Sequence, residues 1–384
     1  MPLDVDTFEL LKEAVRRFVR DRLVPNEDRV EESNEVPAEI VAEMRELGLF
    51  GLSIPEEYGG IGLGMAEEVE IAHEVGQAAL AFRSVFGTNV GIGSQGILID
   101  GTEEQKREFL PKIASGEMIF SFALTEPEAG SDAAALRTTA CRDGDHYVLN
   151  GAKRFITNAD RASGFTVMAR TDPTVQGAGG ISAFIVLASS PGLTVGPPDR
   201  KMGQRGTKTC DVVFQDVRVP ASAIIGGVPG RGFKTAMKVL DRGRLHIAAI
   251  ATGMATRLIR DSVDYARQRR QFGSRIADFQ LVQAMLADSQ AECYAARSMV
   301  RDAAHRYDHR DPEAGMLASC CKLFATEMVG RVADRAVQIH GGSGYMSEYK
   351  VERFFRDVRL LRLYEGTTQI QQLVIARGLV GKPE

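Results

Sequence analysis

Glu365 stands in the stretch LLRLYEGTTQIQ, residues 360–371, after an apolar run and before a glycine and two threonines. A Glu beside a helix start commonly compensates the helix dipole. A carboxylate between Tyr364 and the side-chain-free Gly366 can also approach a substrate closely. Partial burial would raise its pKa toward the range useful for proton abstraction. Thr367 or Thr368 can cap the helix that follows. A second segment, ARQRRQFGSRIADFQ over residues 266–280, sets arginines around Phe272 and Gly273. Its plain reading is a solvated helix face. Its chemical reading is a receiver for a phosphate-bearing nucleotide cofactor, because the arginine fork matches phosphate oxygens and an aromatic ring can stack on a base. A third, LTEPEAGSD over 124–132, is either a joining loop or a grip for a polar ligand through backbone donors and the hydroxyls of Thr125 and Ser131.

Other chemistries lack their residues. No P-loop or G-x-S-x-G elbow occurs. Gly59, Gly60, Gly62 and Gly64 follow Pro55 and Tyr58 rather than a strand, which argues against a dinucleotide fingerprint. His305 and His309 lie four apart, but no Glu completes H-E-x-x-H and Arg306 sits between them, so no metal site is expected. Lys plus Arg number 47 against 51 Asp plus Glu, a poor balance for neutralising nucleic-acid phosphates. Charge is uneven, with 15 acidic and 7 basic residues over 1–60 and 15 basic and 8 acidic over 231–310. No apolar stretch approaches the ~20 residues of a membrane helix. Asp4 and Asp6 follow Met1 where a signal peptide would be basic and then apolar. Cys141, Cys210, Cys293, Cys320 and Cys321 form no C-x-x-C pair and read as reduced thiols of a cytoplasmic protein.

The elements that must position these residues fall into blocks. Phe8, Leu11, Val15, Phe18 and Val19 recur at helix spacing, and further helices are expected over 37–48, 65–80 and 103–114. Gly48 is a plausible C-terminal cap and Thr102 an N-cap. Then the pattern turns to strands. Residues 147–149 and 152–157 around Asn150-Gly151 read as a hairpin, with further strands over 165–169, 181–187 and 212–219. Leu317, Cys320, Phe324, Met328, Val332, Ala336 and Ile339 predict a long helix between the break at Asp311-Pro312 and its end at Gly341-Gly342.

In order and spacing the segments resemble the acyl-CoA dehydrogenase family over nearly the whole chain. QIHGGSGYMSEYKVERFFRDVRLLRLYEGTTQIQ, residues 338–371, carries the resemblance most specifically, and LTEPEAGSD nearly as much. It implies a mainly α fold with a central β-barrel: an N-terminal α-helical domain (1–119), the β-barrel (120–229) and a C-terminal four-helix bundle (230–384). It implies a non-Rossmann FAD site and a homotetramer built as a dimer of dimers. Arg269, Gln271, Phe272 and Gln280 match residues that contact the FAD of a neighbouring subunit, and Gln338, Gly341 and Gly342 match the other glycine-rich contact. Leu124, Thr125, Phe155 and Thr157 match positions around the flavin ring, with Thr367 and Gln369 completing the set. Ser131, Asp241 and Arg244 match substrate-binding positions along CoA, Gly366 matches a residue that lies against the acyl thioester, and Glu365 matches the catalytic base.

The implied reaction is α,β-dehydrogenation of an acyl-CoA to a trans-2-enoyl-CoA in fatty-acid or branched-chain acyl-CoA catabolism, with electrons passed to an electron-transfer flavoprotein. Some relatives carry the base on the helix after the barrel, immediately before the Arg matched by Arg244. That position is Gly243 here, which leaves Glu365 as the sole base. Phe155 replaces a frequent Trp, keeping a ring face without the indole N–H. The rivals are an acyl-CoA oxidase using oxygen and a non-catalytic relative serving assembly or binding; intact Glu365, Arg244 and Thr157 argue against the latter. Small residues over 90–99 hint at room for a medium or longer acyl chain.

Overall fold

The computed structural model describes residues 3–175 and 177–381. The first block is helical: α1 (Val5–Phe18), α2 (Glu27–Ser33), α3 (Ala38–Glu46), α4 (Met65–Val75), α5 (Leu80–Thr88), α6 (Gln95–Asp100) and α7 (Glu103–Ala114). Asp4 caps α1 by accepting the Thr7 N–H, and Phe8, Val15 and Phe18 form its buried stripe. Gly48 follows α3 at φ 71°, and Thr102 caps α7 in a reciprocal box with Gln105. The single helix expected over 65–80 is two helices. A Cβ on Gly76 would lie 2.6 Å from the Ile250 carbonyl oxygen, so the chain is pinched where it crosses a later helix, and α5 restarts fully buried.

The middle block is one sheet: β1 (Phe120–Ala123), β2 (Thr139–Asp143), β3 (His146–Thr157), β4 (Gly164–Arg170), β5 (Ile181–Leu187), β6 (Leu193–Val195) and β7 (Thr209–Pro220). Its order is β1-β4-β2-β3-β7-β6, with β5 on β4. The expected barrel takes the form of a curled sheet half-barrel, with its inner face filled by Phe165, Val167, Phe184, Val212 and Phe214. The hairpin expected at Asn150-Gly151 is a correction. β3 runs straight through it, pairing with β2 on one edge and β7 on the other, and the register with β7 shifts between Leu149 and Gly151. The Asn-Gly pair makes a bulge. The turn lies earlier, at Gly144, whose φ is 63°.

The last block is α8 (Gly232–Gln268), a short ribbon β8 (Arg270–Gln271) and β9 (Ser274–Arg275), then α9 (Gln280–Asp308), α10 (Ala314–His340), α11 (Val351–Leu361) and α12 (Thr368–Val380). α8, α9 and α10 pack against one another, while α11 and α12 lie on α10. Leu245, Ala248, Val300, Ala325 and Val332 are among the buried residues that join them, and Met65 and Val69 of α4 enter the same core. The buried period of α10 matches the stripe read from sequence, and Gly341 ends it at φ 57°.

Candidate active site

α11 ends at Leu361 and α12 begins at Thr368, and the turn between them carries Tyr364, Glu365 and Gly366. Glu365 and Gly366 both adopt left-handed backbone, φ 53° and 92°. For glutamate this is a strained conformation that its surroundings must hold. Three contacts do so. Thr367 accepts the Ile370 N–H at 3.2 Å and caps α12. Gln371 donates from Nε2 to the carbonyls of Glu365 and Gly366, each at 3.1 Å. Lys322, fully buried in α10, donates to the Gly366 carbonyl at 2.7 Å.

The turn faces a cavity of about 780 Å³ between the half-barrel and the helices. Leu124, Thr125, Ser131, Phe155, Thr157, Arg244, Glu365 and Gly366 all line it. Burial pushes the Glu365 carboxyl above its ordinary value, and the charges of Arg83, Lys322 and Arg244 pull it part of the way back. Its Oε2 is buried with no hydrogen-bond partner. It rests against Gly243 of α8, where a Cβ would lie 2.1 Å from it. Arg244, the next residue, pairs with Asp241 one turn away and reaches Ser319 at 3.4 Å. Asp241 itself does not line the cavity.

The opposite wall is β3 and the 124–132 segment. A second register shift in β3, between Lys153 and Ile156, turns Lys153 into the core and leaves Phe155 57% exposed at φ 59°. Arg154 covers the Phe155 ring at 4.6 Å and is held by Asp211 at 2.6 Å. Lys153 donates to Glu126 Oε1 at 2.7 Å and to the Leu124 carbonyl at 3.2 Å. Burial draws the Lys153 ammonium down to about 8, with Glu126 opposing the fall. Burial pushes the Glu126 carboxyl up, but Lys153 and the Arg137 N–H outweigh it and hold it below its usual value. The hydroxyls of Thr125 and Thr157 take part in no hydrogen bond among the described residues and face the cavity.

The remaining expected residues lie elsewhere on the chain. Arg269, Gln271, Phe272 and Gln280 are exposed on and beside the β8–β9 ribbon, and Gln338, Gly341 and Gly342 are exposed at the end of α10. None of them lines the cavity, and neither do Thr367 and Gln369. Phe272 is 95% exposed at the ribbon tip, φ 51°. Of residues 90–99, Ile92 lines the cavity.

Three family models match the chain in order: acyl-CoA dehydrogenase N-terminal domain over residues 6–117, middle domain over 121–217 and C-terminal domain over 230–380. The chain belongs to the acyl-CoA dehydrogenase family. This acyl-CoA dehydrogenase is an oxidoreductase with the family's three-part fold. It is 44% identical over 372 residues to a probable acyl-CoA dehydrogenase of Bacillus subtilis, covering 97% of each chain. It is 40% identical over 375 residues to the caffeyl-CoA reductase-Etf complex subunit CarC of Acetobacterium woodii, covering 97% of this chain and 98% of that one. Butyryl-CoA dehydrogenase from Megasphaera elsdenii superposes with TM-score 0.94 at 35% identity, covering 99% of this chain and 100% of that one.

Sequence reading missed several residues that shape the acyl-CoA dehydrogenase site: Arg83, Glu126, Lys153, Gln204 and Lys322. Gln204 lines the cavity with φ 53°, its N–H given to the buried Asp357. Only Lys153 carried a usable signal, as a charge on the inward phase of a strand; the others look like ordinary surface residues until the fold buries them.

Proposed function

We propose that this protein is an FAD-dependent dehydrogenase converting an acyl-CoA thioester to its trans-2-enoyl-CoA, with Glu365 as the base. The observation that carries this reading is the unpartnered Glu365 Oε2, buried at the cavity wall and facing a space lined by free threonine hydroxyls and a half-exposed aromatic ring. An isoalloxazine is flat and apolar with a polar edge, and Leu124, Thr125, Phe155 and Thr157 suit it in kind. FAD when bound supplies the acceptor for the two electrons that leave with the β-hydrogen.

The chain's own residues supply the rest. Arg244 and Ser131 would hold the CoA end of the substrate, with Asp241 fixing the Arg244 guanidinium. Gly366 lets the thioester lie against the turn without a side chain in the way. A thioester α-proton is too weakly acidic for a carboxylate alone, so negative charge building on the thioester oxygen needs a donor. The Glu365 backbone N–H makes no hydrogen bond among the described residues and is free to serve. Glu365 Oε2 then takes the α-proton, its raised pKa making it a stronger base than an exposed carboxylate. Lys322 and Gln371 hold that oxygen and N–H in place by fixing the carbonyls of the same turn.

Arg269, Gln271, Phe272, Gln280, Gln338, Gly341 and Gly342 would grip the rest of the FAD, together with Thr367 and Gln369. Those on the ribbon and at the α10 end are exposed and away from this chain's cavity, which suits a cofactor shared between copies in a homotetramer arranged as a dimer of dimers. A relative named as a subunit of an Etf complex supports an electron-transfer flavoprotein as the acceptor. Five free cysteines suit a reducing compartment, the cytoplasm. Fatty-acid or branched-chain acyl-CoA catabolism is the proposed setting. The test is anaerobic titration of the purified protein with a panel of acyl-CoAs, following the oxidised-flavin band. Bleaching by at least one saturated thioester is expected; a colourless protein that takes up no FAD would defeat the reading.

A further inference from the structure

Two lysines are buried among the described residues, and the fold treats them differently. Lys153 pairs with Glu126 at 2.7 Å. Lys322, fully buried in α10, makes no ion pair among the described residues, and its one side-chain hydrogen bond there runs to the Gly366 carbonyl. A neutral donor would satisfy that carbonyl, and Gln371 already donates to it at 3.1 Å. An ammonium taken out of water is costly to keep, and a carbonyl is a weaker partner for it than a carboxylate. The charge therefore calls for a use beyond the hydrogen bond. The carboxylates nearby narrow that use. Glu327, on the same helix, accepts from the Thr368 hydroxyl at 2.7 Å and faces Arg362 at 3.4 Å. Asp241 is taken by Arg244. Glu365 precedes the very residue that Lys322 holds, and its Oε2 is buried without a partner.

We propose that Lys322 is the counter-charge of the base: its ammonium stands behind the catalytic turn, bonded to the neighbouring carbonyl and not to Glu365, and keeps that carboxylate ionised while Oε2 stays free to take the α-proton. The inference deepens the dehydrogenase reading and rests on it. A base in a dry cavity has two needs that conflict. It must carry charge, which a nearby cation favours. It must also keep a lone pair open, which a direct ion pair would occupy. Seating the ammonium on the next carbonyl meets both, because charge acts through space and a hydrogen bond does not. Burial draws the Lys322 ammonium down to about 8, with Glu365 opposing the fall, so it still carries its charge at neutral pH. Arg244 and Glu327 are the other charges that face it. Facing the Glu365 carboxyl besides Lys322 are Arg83 from α5 and Arg244 from α8, and burial keeps the adjacent Tyr364 phenol neutral. Both arginines line the cavity, where a thioester can reach them, and Lys322 does not. Of the three cations, Lys322 is the one whose charge stays on Glu365 unaltered when substrate fills the site. It acts through the turn, as a positioning residue.

The test separates charge from hydrogen bonding. Lys322→Gln keeps a donor without the charge, and Lys322→Arg keeps the charge. Each flavin-loaded protein is mixed anaerobically with a saturated acyl-CoA that bleaches the wild type, and the single-turnover rate is followed against pH. In Lys322→Gln the rising limb should move up by about one pH unit or more, the scale of one opposite charge close by. Its rate on that limb should fall about tenfold or more and recover toward the wild-type plateau at higher pH. Lys322→Arg should keep the wild-type limb. A merely structural role would lower the plateau and leave the limb in place. An unmoved limb in Lys322→Gln, or an equal move in Lys322→Arg, overturns the proposal and leaves the dehydrogenase reading standing. If the variants do not fold, infrared spectra of the flavin-loaded wild type minus Glu365→Gln report the carboxyl directly. The ionised form is expected at neutral pH without substrate; a protonated Glu365 there also overturns the proposal. If no saturated acyl-CoA bleaches the wild type, both readings fall.

Discussion

Glu365 and Gly243 occupy the same space: a Cβ on Gly243 would stand 2.1 Å from Glu365 Oε2 and 3.1 Å from its carboxyl carbon. A side chain at residue 243 would displace the carboxylate at 365, so the glycine is a condition of that carboxylate's present position.

Gly243→Ala is expected to slow flavin bleaching by ~10²-fold or more while keeping bound flavin, since a displacement of about 1 Å at a reacting group carries that cost. Glu365→Gln should keep flavin and lose dehydrogenation by ~10³-fold or more. Near-normal turnover in Glu365→Gln would remove it as the base. Single-turnover mixing with an acyl-CoA measures both.

The raised pKa of Glu365 fixes two signs. Proton abstraction needs the carboxylate, so the rising limb of the rate of bleaching against pH should lie above the ordinary Glu value of ~4.3. For stability, the folded state holds this proton more tightly than the unfolded one. Its contribution is full below the unfolded pKa and is lost as pH rises through the folded pKa. Glu365→Gln should thus melt higher than wild type at neutral pH, with the gap closing in acid. Thermal scans from pH 4 to pH 8 check this; a constant gap would contradict it.

Glu126 and Lys153 form a buried pair at 2.7 Å that ties the 124–132 segment to β3. Removing one partner leaves the other charge buried alone. Glu126→Gln and Lys153→Met are each expected to cost about 3–5 kcal/mol, and the double variant less than either single one. Denaturant titrations of the four proteins give the coupling directly. Additive losses would show that the two groups act independently.

Phe272 is expected to matter to assembly more than to folding. Phe272→Ser removes an exposed ring at the ribbon tip, so the monomer's melting should change little. Flavin content and sedimenting mass should both fall if a second copy covers it with cofactor between them. Unchanged mass and flavin would sever the ribbon from the FAD site.

Periodic elements were legible in the sequence, and buried charge was not. The stripe along α10 came from spacing, because one face of that helix is apolar, whereas the strand at residues 181–187 came from a short apolar run that is buried on both faces from Ile181 to Val186. The Thr102 cap was legible because a hydroxyl before a helix has one main use. Asn150-Gly151 misled because the same dipeptide serves a tight turn and a bulge, and only pairing on both edges of β3 separates them. The break at Gly76 depends on Ile250, far off in the chain. At the site, Glu365 stood out through its glycine and threonine neighbours. Arg83 and Lys322 did not, since a lone cation on a helix looks solvated until the fold buries it.

The second register shift of β3 limits how this chain can change in length. Strand residues alternate sides, so Lys153, Phe155 and Thr157 would share a face in an unbroken strand. The shift between Lys153 and Ile156 frees Lys153 to point inward while Phe155 and Thr157 front the cavity. Losing one residue there would swap a cation for a ring at the cavity wall. Descendants of this sequence should vary by substitution, not by indel, across that four-residue window.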